Sequence, residues 1–159
     1  MTIEQRIEEL GIALPDFGRQ GYYGEQFGRM KSHHIVGDVL HLSGHVPVRD
    51  GELVHPGRLG SSVSLEQGYE AARITGINAV AGMKYALGDL ERVAGIIKSL
   101  CFVACEPDFT QVHKVSSGHS DLLHEVFGEV AGTGCRATIG VQTLADNLCF
   151  ETWMEVEIR

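Results

Sequence analysis

Arg136 is the only lysine or arginine between Val115 and Ile158. It follows a Gly-Thr-Gly-Cys loop and precedes the apolar run Ala-Thr-Ile-Gly-Val, which places it at the start of a predicted strand. A guanidinium in such a place can hold a carboxylate through two parallel hydrogen bonds. The simpler interpretation, which composition alone favours, is a salt bridge to one of the acidic residues of the same span. Those acids are Asp121, Glu125, Glu129, Asp146, Glu151, Glu155 and Glu157.

A second group of candidate residues lies in the closing segment, Phe150 to Ile158. Glu151, Trp153, Glu155 and Glu157 alternate with apolar residues there, so all four belong to one face of a strand. Carboxylates on such a face are usually solvated. A carboxylate beside a subunit boundary can instead orient a water molecule for attack.

The third candidate is the segment Ser43-Gly44-His45, at the end of an alternating strand over Val39–Val46. Gly44 has no side chain and therefore allows a ligand or another backbone to approach closely. The alternative interpretation is an ordinary strand end before a hairpin, for which Asp50-Gly51 is the turn.

Several function classes are excluded by composition and by missing motifs. The 159 residues carry 13 basic and 21 acidic side chains, and this net charge of −8 argues against nucleic-acid binding and against anionic membranes. The eight histidines and four cysteines show no metal-ligand spacing, and no glycine-rich nucleotide motif is present. We therefore expect no metal and no cofactor. The acidic, amphipathic N-terminus does not resemble a signal peptide, which predicts a cytoplasmic protein.

Hydrophobic periodicity predicts a single α+β domain with two main helices on one face of a sheet. The helices are expected over Thr2–Leu10, Ser64–Leu87 and Ser120–Val130, with a short helical turn over 108–114. The strands are expected over Val39–Val46, Ile96–Ala104, Ala137–Thr143 and Phe150–Ile158, and residues 16–34 are expected to be irregular. In Ile96–Ala104 both alternating sets are apolar, so the face without helices needs a partner. A second copy of the chain is the expected partner.

Four motifs resemble the Rid family, also called YjgF and formerly endoribonuclease L-PSP. They are Leu42-Ser-Gly-His-Val-Pro47, Asp50-Gly-Glu-Leu-Val54, Cys135-Arg-Ala-Thr-Ile-Gly-Val141 and the segment from Phe150 to Glu157. The resemblance covers about Gly37 to the C-terminus. The N-terminal helix and the segment Tyr69-Glu-Ala-Ala-Arg73 resemble a longer subgroup of the family. Residues 1–36 are expected to form that helix and an irregular extension, and residues 37–159 the family core.

The resemblance implies a chorismate-mutase-like fold, assembled as a homotrimer whose sheets form the inner wall. It also implies cofactor-free hydrolysis of reactive enamines and 2-imino acids to 2-oxo acids and ammonia, in clefts between subunits. By position, Arg136 would bind the substrate carboxylate. Glu151, fifteen residues later, would position the water.

The other implied cleft residues are Ser43, Gly44, Cys135, Ala137 and Thr138. His113 or Ser117 would take the place of the family's site asparagine, and His45 stands where glutamine is usual. Which of Tyr22, Tyr23 and Phe27 lines the cleft is left open. The alternative function is a non-catalytic trimeric protein that binds small carboxylate metabolites.

Overall fold

A five-stranded mixed sheet and two long helices form the two layers of the computed structural model, which describes residues 1–159. The strand order is β1-β2-β7-β5-β6. The strands are β1 (His33–Val36), β2 (Val39–His45), β5 (Val93–Ala104), β6 (Cys135–Val141) and β7 (Phe150–Ile158). β5 and β6 run parallel, and the other neighbours run antiparallel. A separate hairpin pairs β3 (Val48–Arg49) with β4 (Glu52–Leu53).

The helices are α1 (Ile3–Glu9), α2 (Phe17–Gln20), α3 (Leu65–Leu87) and α4 (Val112–Gly132). The prediction of α3 is confirmed, because Ser64 caps its first turn and Gly88, with φ of +76°, ends it. α4 begins at Val112 rather than at the predicted Ser120, and its backbone leaves the helical conformation at Gly128, where φ is +83°. Its middle turns carry His119 and Leu122, which are fully buried, so tertiary packing outweighs the modest helix propensity of histidine.

The main core lies between the helices and the sheet. Its fully buried side chains include Leu40, Met83, Leu122 and Val156. α3 approaches the sheet closely at Gly82, where a Cβ atom would lie 2.5 Å from the Nε2 atom of His45. No helix combines the length and hydrophobicity needed to cross a bilayer.

The face of the sheet opposite the helices keeps apolar side chains exposed. Ile139 and Trp153 are 48% and 50% exposed, and Phe102 between them is half-buried. The prediction that β5 is apolar on both faces is confirmed, although Ile96 does not lie on the open face with Leu100 and Phe102. A β-bulge between Ile96 and Lys98 shifts the register, so Ile96 faces the helices and joins the core.

The N-terminal extension is more regular than expected. After α2 it forms a 3-10 turn over Tyr23–Phe27, and β1 then pairs with β2. Phe17 and Tyr22 are buried and pack against Ala81 of α3 and the ring of His45. The extension therefore lies against the strand that carries Ser43 and Gly44.

Candidate functional site

The Arg136 guanidinium lies at the start of edge strand β6 and has only neutral partners. Its Nη1 donates to the Ser120 Oγ atom at 3.1 Å, and its Nη2 donates to the His113 carbonyl at 3.4 Å. The four salt bridges of the chain do not include it. The interpretation of Arg136 as a salt-bridge residue is therefore wrong, and the exposed guanidinium is free to bind an anion.

Three of the seven acids expected to compete for Arg136 are bound to other side chains. Asp121 accepts a hydrogen bond from the Tyr69 hydroxyl at 2.5 Å, and Asp146 accepts one from the Tyr23 hydroxyl at 2.8 Å. Glu125 forms a salt bridge with Arg73 at 2.8 Å. These contacts join residues far apart in sequence, so composition alone could not reveal them.

Three further predicted residues lie beside Arg136, where β6 packs against α4. The Ser117 hydroxyl donates to the His113 carbonyl at 3.0 Å, and the Thr138 hydroxyl lies 2.6 Å from that of Ser116. We call Arg136, His113, Ser117 and Thr138 the arginine edge. Cys135 and Ala137 are exposed and alternate with Arg136 along β6, so their side chains belong to the open face instead.

Glu151 belongs to a second group, on the open face of the sheet. Its Oε2 accepts a hydrogen bond from the Trp153 indole at 2.6 Å. Its carboxyl carbon lies over Gly44, where a Cβ atom would come within 2.9 Å of it. Next to Gly44, the Ser43 hydroxyl donates to the Lys31 carbonyl. We call Ser43, Gly44, Glu151 and Trp153 the glutamate cleft.

A cavity of about 460 Å³ adjoins the glutamate cleft. Its lining includes Ser43, Gly44, Lys98, Leu100 and Trp153. A larger cavity of about 760 Å³ lies between the N-terminal extension, α3 and the β3–β4 hairpin. Ser43, Gly44 and Trp153 line the smaller cavity and not the larger one, so we place the candidate site at the smaller one. Neither Arg136 nor Glu151 lines either cavity.

Tyr22 is the aromatic residue that reaches the cleft. Its hydroxyl donates a hydrogen bond to the Gly44 carbonyl, and burial raises its pKa, with a further contribution from the Glu151 carboxylate. Tyr23 turns to Asp146 instead, and exposed Phe27 packs on the Tyr23 ring. Local sequence could not distinguish these three residues, because the loop that carries them has no regular period.

His45 follows the cleft residues in sequence but faces the helices. Its Nδ1 donates to the Ser43 carbonyl at 2.8 Å, while its Nε2 is buried without a partner. Burial lowers the pKa of His45 to about 4, so the ring is neutral near pH 7. Its contacts make it a structural support for the strand that carries Gly44.

One chain does not bring the arginine edge and the glutamate cleft together. Glu151 lies on β7 and Arg136 on β6, with β5 between them. Arg136 also lies three residues along β6 from Ile139, which is level with Glu151, so the backbones of Arg136 and Glu151 are roughly 14 Å apart. Arg136 also contacts α4, whereas Glu151 lies on the face without helices. Neither group contains the three or more His, Cys, Asp or Glu side chains that would suit a metal ion.

The family model described as "YjgF/chorismate_mutase-like, putative endoribonuclease" matches residues 4–152. The chain belongs to the YjgF/Rid family. Its mixed sheet with helices on one face is the chorismate-mutase-like fold of that family, which confirms the expected fold class. The match begins at residue 4 and so includes the N-terminal extension.

Relatives in the YjgF/Rid family resemble this chain over nearly its whole length. "Protein TCP17" from Trypanosoma cruzi is 34% identical over 157 residues, which cover 99% of this chain and 94% of that protein. A protein of unknown function from Agrobacterium tumefaciens is 34% identical, with a TM-score of 0.87 over 99% of this chain and 92% of that one. A "putative endoribonuclease" from Shewanella oneidensis is 30% identical, with a TM-score of 0.91 over 99% and 100%.

Proposed function

We propose that this protein hydrolyses small 2-imino acids and their enamine tautomers to 2-oxo acids and ammonia, without a cofactor. The observation that carries the proposal is the exposed Arg136 guanidinium, whose partners are a serine hydroxyl and a backbone carbonyl. A guanidinium without a carboxylate partner is suited to bind the carboxylate of a ligand. The family resemblance supplies the reaction class.

The proposed chemistry needs few groups. A protonated imine is electrophilic, so water adds to its carbon once both are held in place. Glu151 accepts a proton from that water as the C–O bond forms. Glu151 then returns that proton to the amine nitrogen of the tetrahedral intermediate. The C–N bond breaks, ammonia leaves, and the hydroxyl oxygen gives up its proton as the C=O bond forms. Ser43 and Gly44 line the same cleft and would bound the space for the substrate.

We further propose a homotrimer in which the arginine edge of one subunit faces the glutamate cleft of the next. Two features support an assembly of this kind. The open face exposes Ile139 and Trp153, and β6 is an edge strand whose outer side has no neighbouring strand. The two halves of the site also lie on opposite faces of one chain, so a neighbouring copy would complete each site.

The test generates 2-iminopropanoate or 2-iminobutanoate in situ and follows release of the 2-oxo acid. We expect the wild-type protein to accelerate hydrolysis, and Arg136→Ala to lose at least about tenfold in kcat/KM, since it removes a charge-assisted contact. Arg136→Lys, which keeps the charge but not the planar pair of donors, should lie between them. An Arg136→Ala variant as active as wild type would contradict the role of Arg136.

The same assay separates the alternative functions. If the protein binds 2-oxo acids through Arg136 but accelerates no imine hydrolysis, it is a carboxylate-binding protein. The family description names an endoribonuclease, and a net charge of −8 does not favour binding to a polyanion. RNA cleavage that survives Arg136→Ala and Glu151→Gln would place the activity elsewhere.

A further inference from the structure

Trp153 is the single tryptophan of the chain, and its indole forms a hydrogen bond with Glu151, the proposed catalytic carboxylate. Two residues apart on β7, Glu151 and Trp153 share one face of the strand. The indole Nε1 donates to the Glu151 Oε2 atom at 2.6 Å. The indole is the only side chain that forms a hydrogen bond with this carboxylate.

The indole ring is itself held in place by β5. Phe102 lies directly opposite Glu151, and Leu100 lies directly opposite Trp153. The rings of Phe102 and Trp153 are 4.7 Å apart between centroids, at an angle of 54°. A diagonal aromatic pair of this kind favours one orientation of the ring, so the N–H donor is directed at the carboxylate before any ligand binds.

The carboxylate also lies close to Gly44, in space that any larger residue would fill. A Cβ atom at Gly44 would lie 2.9 Å from Glu151 Cδ and 3.0 Å from its Oε2. The carboxylate is therefore confined between the Gly44 backbone and the indole. Oε2 is occupied by the indole hydrogen bond, whereas Oε1 has no hydrogen-bond partner in the chain.

We propose that Trp153 is a positioning residue, which holds Oε2 of Glu151 so that Oε1 is the atom that takes the proton from water. This inference rests on the proposed imine hydrolysis. The simpler interpretation is a surface contact between two neighbours on one strand face. A surface contact would affect stability, whereas a positioning contact acts on catalysis only through Glu151.

A double-mutant cycle distinguishes these two roles. We expect Trp153→Phe, which keeps an aromatic ring but removes the N–H, to lower kcat about tenfold with little change in KM. In a Glu151→Gln background the same substitution should have no further effect on kcat. Glu157→Gln is the matched control, since Glu157 lies on the same strand face but does not contact the indole. It should leave kcat unchanged.

Tryptophan fluorescence tests the contact without any activity. Excitation moves electron density out of the pyrrole ring, so a negative charge beside the N–H stabilises the excited state. We therefore expect Glu151→Gln to shift the emission of Trp153 to shorter wavelength, and Glu157→Gln to leave it in place.

The outcomes separate this inference from the proposed function. An emission spectrum unchanged by Glu151→Gln would overturn the inference, and so would an equal loss of kcat from Trp153→Phe in both backgrounds. A shifted emission together with no imine hydrolysis by wild type would refute the proposed function and, with it, the positioning role of Trp153 in catalysis. A shifted emission and a non-additive cycle would support both.

Discussion

The Tyr22 hydroxyl donates a hydrogen bond to the Gly44 carbonyl, and this bond joins the N-terminal extension to the strand of the glutamate cleft. Tyr22 is 4% exposed, and its ring lies 5.2 Å from that of His45. Gly44 lies next to Glu151, so a side chain more than twenty residues earlier in the chain binds the backbone of the cleft. The extension therefore supports the cleft.

Removal of this hydroxyl should weaken the fold locally. We expect Tyr22→Phe to lower the free energy of unfolding by about 1 kcal/mol, because the Gly44 carbonyl loses its side-chain donor. Urea denaturation measures the change. Tyr23→Phe is the matched control, since its hydroxyl binds Asp146 at the surface and its loss should cost less. Equal losses from both variants would contradict a special role for the Tyr22 bond.

Mixing two inactive variants tests whether the site is shared between subunits. Arg136→Ala and Glu151→Gln should each lose activity, but a trimer formed from both can contain sites with an intact Arg136 from one subunit and an intact Glu151 from the next. Random assembly at equal amounts should restore about a quarter of the wild-type sites. Co-expression followed by the imine assay measures this. No recovery from mixed trimers would show that one subunit supplies both residues.

Because His45 and His119 are buried, we expect the free energy of unfolding to fall in mild acid. Burial lowers the pKa of His45 to about 4 and, with Arg136 and His45 adding like charge, that of His119 to about 3. The unfolded chain takes up these protons near pH 6.5. The contribution of the two histidines to the free energy of unfolding is therefore fully present above pH 6.5. It is lost as the pH falls toward their pKa values in the folded protein.

Between pH 7 and pH 5 the loss should be about 2 kcal/mol for each histidine. Urea denaturation at a series of pH values measures it. His45→Gln, which cannot take up a proton, should reduce the slope of stability against pH over this range. An unchanged slope would show that the pKa of His45 is the same in the folded and unfolded protein.

Gly82→Ala should destabilise the protein although alanine is the better helix former. The new Cβ would lie 2.5 Å from His45 Nε2, within a buried ring cluster that has little room to shift, so we expect a loss of about 1–3 kcal/mol. Gly76→Ala is the control. Its Cβ would meet Leu122 Cδ2 at 2.6 Å, the far end of a flexible side chain. Its loss, measured by urea denaturation, should be smaller.

Helix α3 and strands β2, β5 and β7 could be predicted because their signals are local. A capping box at Ser64, a glycine at 88 and alternation in Phe150–Ile158 each depend on residues within a few positions of one another. For α4, the early start at Val112 could not be predicted in the same way. Its middle is held by buried contacts such as the 3.1 Å bond of His119 to Ser99, twenty residues earlier.

The candidate site, like the fold, was predictable only where the signal is local in sequence. The sequence by itself determined which residue types are present, including an isolated Arg136, a glutamate fifteen residues later and a glycine after Ser43. Only the tertiary structure decided that Arg136 has no acidic partner, that Tyr22 reaches Gly44 and that Trp153 holds Glu151. It also placed Arg136 and Glu151 on opposite faces of the sheet. The reason is physical: side-chain partners across strands are set by register, bulges and packing, which residues distant in sequence fix together.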